Sequence, residues 1–181
     1  GNLKKDKDYM EYIDFLFFRL FNVHMKKLID KNKSSIELRY RSKLLFNFLK
    51  YSLKLPTGRK TNLTIPKYIT NNKIYFIKFL RGLFDTDGCL IIQKCNKYKY
   101  LRIKITSKFR NFLEEIQLNL RLLEIDSYIN KKETDGHIGY DVVITGKDVD
   151  KFILLIGSKN SRNINKIKKW EREDLNPDFG S

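Results

Sequence analysis

Cys89 and Cys95 are the only cysteines in this 181-residue chain. Their spacing fits no zinc site, and two thiols make no disulfide framework. A reducing, intracellular setting is therefore the default. His24 and His137 stand apart, which argues against a histidine-metal nuclease and against a catalytic triad. There is no signal peptide and no apolar run of the roughly 20 residues a bilayer span needs, so no membrane partner is expected. Acid is scarce as well: 21 Asp and Glu face 37 Lys and Arg, a net charge of +16. That excess points to a polyanion, with nucleic acid ahead of an anionic membrane surface. An AT-rich genome would account for part of the lysine, but not for the few acids. The first residue is Gly1 rather than Met, as in a fragment or a processed chain.

The residues that are present can build a core. Hydrophobic residues make up 41%, enough for one domain or two small repeated halves. Spacing predicts a helix from Asp6 to Phe21, capped by Asp6 or Asp8, with Met10, Ile13, Phe17 and Leu20 as its stripe. Strands follow over Val23–Ile29 and Ser35–Arg41, with Arg39 and Arg41 on one polar face. Ser42 caps a helix over Lys43–Leu53 that turns Leu44, Leu45, Phe48 and Leu49 inward. Residues 55–71 carry Pro56, Gly58 and Pro66, with Leu63 and Ile65 as isolated apolar points, and read as a linker.

The remainder continues in the same alternating style. A helix over Asn72–Asp87 precedes strands at Cys89–Cys95 and Tyr98–Thr106, joined near Asn96-Lys97. Ser107 caps a helix to Glu124, and strands at Ser127–Lys132 and Ile138–Ile144 flank an Asp135-Gly136 turn. A helix over Lys147–Ile156 follows. Residues 158–181 read as a polar tail, with a basic helical stretch near Asn163–Arg172. Ile36–Leu49 can be laid on Tyr140–Ile153 at an offset of 104 (141 minus 37), and Glu11-Tyr12-Ile13 on Glu114-Glu115-Ile116 at 103 (114 minus 11). Each half thus holds helix, strand, strand, helix. The second half alone has a further helix and strand pair ahead of its copy.

The densest chemistry lies in Phe79-Leu80-Arg81-Gly82-Leu83-Phe84-Asp85-Thr86-Asp87-Gly88. Two carboxylates sit two residues apart at a helix end, just before a strand. Gly88 reads as a left-handed helix stop. A carboxylate there meets the helix's negative end, a penalty that a divalent cation would remove. An ordinary helix-to-strand turn accounts for the same residues. In the strand pair behind it, Leu90, Ile92, Leu101, Ile103 and Ile105 share one face. Cys89, Ile91, Gln93, Tyr100, Arg102 and Lys104 share the other. Such a ribbon fits the DNA major groove, where Arg and Lys read guanine and Gln reads adenine. Solvation of an exposed basic face is the plainer alternative.

Leu80-Arg81-Gly82-Leu83-Phe84-Asp85-Thr86-Asp87-Gly88 resembles the signature motif of the LAGLIDADG homing endonucleases. It is most similar to the second motif of the double-motif, dodecapeptide type found in inteins and in archaeal or organellar introns. The element order after it is that family's order too. The resemblance implies an α+β fold with an αββαββα unit and an antiparallel saddle sheet over residues 72–157. A partial αββα copy over 1–54 precedes it, and 158–181 follow as a tail. Gly82 would let two motif helices approach closely. Asp87 would be the catalytic metal ligand. Mg²⁺, or another divalent metal, would activate water and stabilise charge on the scissile phosphate. Lys108 would polarise the water or counter phosphate charge. Ile91, Gln93, Lys94, Lys97, Tyr100, Arg102 and Lys104, with Arg39 and Arg41, would face the DNA. The expected setting is intracellular, in an archaeal cytoplasm or an organelle.

Two features depart from the family pattern. Arg81 stands where the motif has a small residue, and the sequence shows one motif acid where the family uses two to cut both strands. A second chain carrying the missing helix and strand pair, a longer parent protein, or a remnant kept for binding would each explain this. The expected function is a site-specific double-stranded DNA endonuclease of homing type. A non-cleaving DNA-binding protein or an intron-splicing maturase on the same scaffold is the alternative.

Overall fold

The first helix, α1 (Lys7–Phe21), starts at Asp6, but the Asp6 carboxylate does not cap it. It turns back to accept the Asn2 N–H at 2.7 Å. The helix ends at Asn22 in the left-handed conformation, φ 54°, which Asn tolerates better than most residues. The computed structural model describes residues 1–30, 32–58, 63–95, 98–134 and 136–175, except the side chains of 94, 95, 98, 134, 137 and 173–175. The expected side-chain contact of Lys94, all of Lys97, and the turn residues Lys31, Asn96 and Asp135 lie outside this description.

Strand β1 (Lys26–Asp30) begins three residues later than the alternation suggests. The cause is Asp14, whose carboxylate takes the Met25 N–H at 2.7 Å and keeps that amide out of a ladder. β1 pairs antiparallel with β2 (Ser35–Arg39) as a sheet of two strands. Along the free edge of β2, Gly1 and Ile36 exchange two backbone hydrogen bonds of 2.9 Å. Ser42 caps α2 (Lys43–Asn47) through the Leu45 N–H, and the chain continues as a π-helical turn over Phe48–Ser52. Leu44 and Phe48, expected to point inward, are 82% and 44% exposed. Leu20 of the α1 stripe is exposed too. A sheet of two strands is too narrow to cover both helices.

Residues 63–71 are more than a linker. Leu63 and Ile65 pack into the main core, and the Ile65 N–H donates to Glu115 at 2.7 Å. A short helix, α3 (Lys67–Thr70), leads to α4 (Lys73–Asp87), which is capped by the Asn72 side chain. α4 buries Phe76, Leu80 and Phe84, one residue per turn. It feeds β3 (Gly88–Cys95) directly, then β4 (Tyr98–Ser107), α5 (Arg110–Leu122), β5 (Tyr128–Thr134), β6 (His137–Thr145) and α6 (Lys147–Leu155). α5 begins at Arg110 and not at a Ser107 cap; the Ser107 hydroxyl accepts the Phe109 N–H instead.

The strand order is β3-β4-β6-β5, all antiparallel. Leu90, Leu101, Ile103, Ile105, Val142 and Ile144 turn one face toward the helices and join Phe112, Leu113, Ile116 and Phe152 in the core. The opposite face is open. The tail is largely a helix, α7 (Ser161–Leu175), docked on this unit. Ile167 and Trp170 pack against the core, and the Lys166 ammonium donates to the Leu90 carbonyl at 3.1 Å.

The register reproduces the internal repeat. Lys26 faces Arg39 as Tyr128 faces Val143, and Leu28 faces Glu37 as Asn130 faces Asp141. Antiparallel α+β units with helices on one sheet face and the other face open make up the architecture expected from the motif.

Candidate nucleic-acid interface

The two acids of the motif have opposite roles. Asp85 is 2% exposed and points inward to the segment that starts α7. It accepts the Ser158 hydroxyl and the N–H groups of Lys159 and Asn160. The Asn160 side chain returns a bond to the Asp85 carbonyl at 3.0 Å. Burial pushes the nearby Tyr9 hydroxyl well above its ordinary range, and the Asp85 charge adds to that shift. Asp85 is therefore an anchor joining the motif helix to the C-terminal helix. No local pattern revealed this anchoring role, because its partners lie more than seventy positions away.

Asp87 is exposed at the end of α4, and one carboxylate oxygen accepts the Thr86 hydroxyl at 2.9 Å. The following Gly88 is not left-handed, with φ −90° and ψ 160°. It is required for another reason. A Cβ there would lie 2.6 Å from the Phe84 carbonyl oxygen and 2.9 Å from the Phe84 Cα. Glycine thus permits an abrupt passage from helix to strand and leaves Asp87 at the rim of the sheet. Gly82, expected to sit under a second helix, has nothing within 4 Å of its Cβ position among the described residues.

Gly88 pairs with Ile105, so Asp87 lies at the Thr106 end of the β3–β4 ribbon. On the open face, Cys89 faces Lys104, Ile91 faces Arg102, and Gln93 faces Tyr100. Gln93 and Tyr100 are exposed, whereas Arg102 and Lys104 are half-buried. The Arg102 Nε is buried without a hydrogen-bond partner among the described residues. Lys108 lies just past β4, exposed, with its ammonium 4.9 Å above the Phe109 ring. Arg39 ends β2 opposite Lys26, so the strand stops two residues short of the expected Arg41, which is exposed just beyond it; Glu37 binds Arg39 Nε and Nη2 at 3.0 and 2.9 Å.

Sequence reasoning missed the hub of this face. Asp141 is 3% exposed on β6, between two strands that carry lysines. It accepts the Thr106 hydroxyl at 2.6 Å and meets the Lys132 and Lys104 ammonium groups at 3.1 and 4.0 Å. Its carboxylate thus sits between lysines of the two flanking strands, Lys104 of β4 and Lys132 of β5, each offset by two residues along β6 from Asp141 and in opposite directions. The repeat offered a signal, since Asp141 falls on Glu37, which also restrains a cation. The arrangement suits phosphates and base edges: a basic, hydrogen-bonding surface with a free carboxylate at one end. Among the described residues, no group of three or more His, Cys, Asp or Glu could hold a metal ion. No described helix is long and apolar enough to cross a membrane.

Comparison with known proteins agrees with this geometry. Residues 75–157 match the model of the LAGLIDADG-like domain. Solved structures of the homing endonuclease I-DmoI share the fold. The complex with DNA and Ca superposes with a TM-score of 0.59 at 21% identity, covering 91% of this chain and 77% of that one. A set of mesophilic I-DmoI variants gives 0.57 at 24% identity, covering 83% and 73%. Among curated sequences, a "Probable translation initiation factor IF-2" of Thermococcus kodakarensis is 28% identical over 99% of this chain. An uncharacterized protein of Methanocaldococcus jannaschii is 27% identical over 60%, and the reverse gyrase of that organism is 30% identical over 55%. The chain spans only 16%, 40% and 6% of the lengths of these three proteins.

Proposed function

From the match of residues 75–157 to the LAGLIDADG-like domain, we propose that the chain is a homing-type, site-specific endonuclease for double-stranded DNA. The observation that carries this reading is the exposed Asp87 carboxylate at the end of the motif helix, beside a sheet face of Gln, Tyr, Arg and Lys. Asp87 is the residue that would hold a divalent cation, most simply Mg²⁺. One carboxylate fits such an ion, because Mg²⁺ keeps several waters and takes one or two carboxylates together with substrate phosphates. Bound there, the ion supplies an activated water and charge stabilisation at the phosphate.

The rest of the reaction belongs to the protein's own groups. Gln93, Tyr100, Arg102 and Lys104 line the ribbon that enters the major groove, with Ile91 among them. Asp141 holds Lys104 and Lys132 in place. Lys108 balances phosphate charge near the scissile bond after leaving the Phe109 ring. Cutting both strands requires a second motif acid, and the 181 residues contain one such motif. Gly82 offers the open approach on α4 for a second motif helix, supplied by another part of a longer protein or by a second chain. The same count favours one other reading, a DNA-binding or intron-splicing protein that does not cut. The proposed setting is intracellular.

The test is to combine the chain with a polypeptide carrying a complementary motif helix and strand pair. A library of duplexes is then searched for cuts in Mg²⁺. Double-strand cleavage is expected only in the mixture. Asp87→Asn should lower it by on the order of 100-fold or more while leaving DNA binding intact. Double-strand cutting that survives Asp87→Asn would sink the assignment. Salt-dependent binding without cutting, under every complement and metal, would establish the binding protein instead.

A further inference from the structure

The N-terminal half carries a second constellation, away from the motif. A cavity of about 390 Å³ is lined by His24, Lys26, Leu28, Arg39, Tyr40 and Arg41. Lys26 and Arg39 are directly opposed across the hairpin. Two cations in that relation repel unless an anion lies between or beside them. Glu37 engages Arg39, but Lys26 and Arg41 have no ion-pair partner among the described residues. This cavity is therefore a basic recess with unspent positive charge.

His24 is built into its wall. The imidazole stacks on Phe18, with ring centres 4.4 Å apart and planes 10° from parallel. Its Nδ1 lies 2.9 Å from Asp14, which also accepts the Met25 N–H. That backbone bond, with the His24 contact, holds the Asp14 carboxyl below its ordinary range although burial opposes this. An ionised Asp14 can only accept, so Nδ1 carries the proton. Nε2 is then the ring nitrogen left with a lone pair, on a side chain that is 64% exposed. In the second half, Gln117 makes the equivalent tether with a bond to the Ser127 carbonyl. Tethering the loop thus needs neither a carboxylate nor a histidine, which leaves the Asp14–His24 pair with something further to do.

We infer that this recess is a phosphate-binding site that grips the DNA backbone, with His24 as a proton-dependent contact through Nε2. The inference rests on the DNA-binding reading above and assigns that reading a contact in the N-terminal half. Neutral His24 has a lone pair at Nε2 and repels a phosphate oxygen. Protonated His24 donates from Nε2 and adds a charge. The groups that set this balance are Asp14 on α1, which favours the charged ring, and Lys26, Arg39 and Arg41 around the recess, which oppose it. Lys27 lies near Asp14 and helps keep its carboxylate ionised. A bound phosphodiester offsets the opposing cations, so binding and protonation reinforce each other. DNA affinity should fall as pH rises and the His24 ring gives up its proton.

Two measurements test this. With only two histidines in the chain, His24→Gln and His137→Gln assign each imidazole in an NMR titration. Inorganic phosphate, against chloride at equal ionic strength, should raise the His24 midpoint and leave His137 unmoved. Separately, the binding of a random-sequence duplex is measured against salt at about pH 5.5 and 7.5, on either side of the unperturbed value. The unaltered chain should bind roughly 3- to 10-fold more tightly at the lower pH, with a salt slope steeper by about one. His24→Gln should lose that difference and His137→Gln should keep it. Lys26→Ala should flatten the slope at both pH values. An unchanged pH dependence in His24→Gln, or a His24 titration indifferent to phosphate, overturns the inference. A phosphate response without any duplex binding supports the anion site but refutes its use on DNA, and with it the endonuclease reading.

Discussion

Asp85 and Asp87 differ in what surrounds them, and substitution should reveal it. Removing the Asp85 carboxylate leaves the Lys159 N–H without its acceptor and takes one acceptor from both the Asn160 N–H and the Ser158 hydroxyl. Asp85→Ala should therefore cost about 2–4 kcal/mol in urea denaturation. Asp87 is exposed and sits at the negative end of α4. Asp87→Asn should change stability by less than about 1 kcal/mol, toward greater stability. Equal losses for the two substitutions would show that Asp87 is also an anchor. The motif alone tells a reader that two acids stand together. It does not tell which one faces solvent, because α7 makes that choice from far along the chain.

At the level of the element, α4 is a helix finished on one side and unfinished on the other. Phe76, Leu80 and Phe84 fill the core, while Ile74 and Tyr75 are more than half exposed and Gly82 faces open space. Glycine inside a helix costs about 0.5–1 kcal/mol relative to Ala. Gly82→Ala should stabilise the isolated chain by roughly that amount. It should also lower cleavage in the complemented mixture, where a second helix would meet the added methyl. Gly88→Ala should instead destabilise by on the order of 2 kcal/mol or more, since the methyl would run into the Phe84 backbone. Thermal melts of both variants decide this. A destabilising Gly82→Ala would mean that the face of α4 is already covered. The helix spans and the period-two faces of β3 and β4 were legible in the sequence, because local periodicity dictates them. The short α2, the π-helical turn after it and the docking of α7 were not, because they depend on which surfaces remain to be covered.

Across the whole molecule the two halves are unequal. The second has four strands under α4, α5, α6 and α7; the first has two strands under α1 and α2. Phe15, Leu20, Leu44, Phe46 and Tyr51 are exposed on the first half, from 49% to 82%. An isolated pair of strands is marginal by itself. Native-state hydrogen exchange should thus find the amides of β4 and β6 protected close to the global stability, and those of β1 and β2 exchanging at least about tenfold faster. Uniform protection would show that the hairpin unfolds only with the rest.

Composition, periodicity and the motif were enough to establish a basic α+β chain with a repeated element order, and to single out Asp87 and the polar face of the β3–β4 ribbon. These are properties of neighbours in the chain, written in spacings of two to four residues. The role of Asp85, the lysine pair held by Asp141, the seat of Leu63 and Ile65 in the core, and the Asp14–His24 recess came only with the tertiary structure. Each joins groups from separate elements: Asp141 with Thr106, Lys104 and Lys132, Asp85 with Ser158, Ile65 with Glu115. Such contacts follow from strand register and helix docking. A local pattern cannot encode them, since it is the packing of the whole chain that brings those atoms within hydrogen-bonding reach.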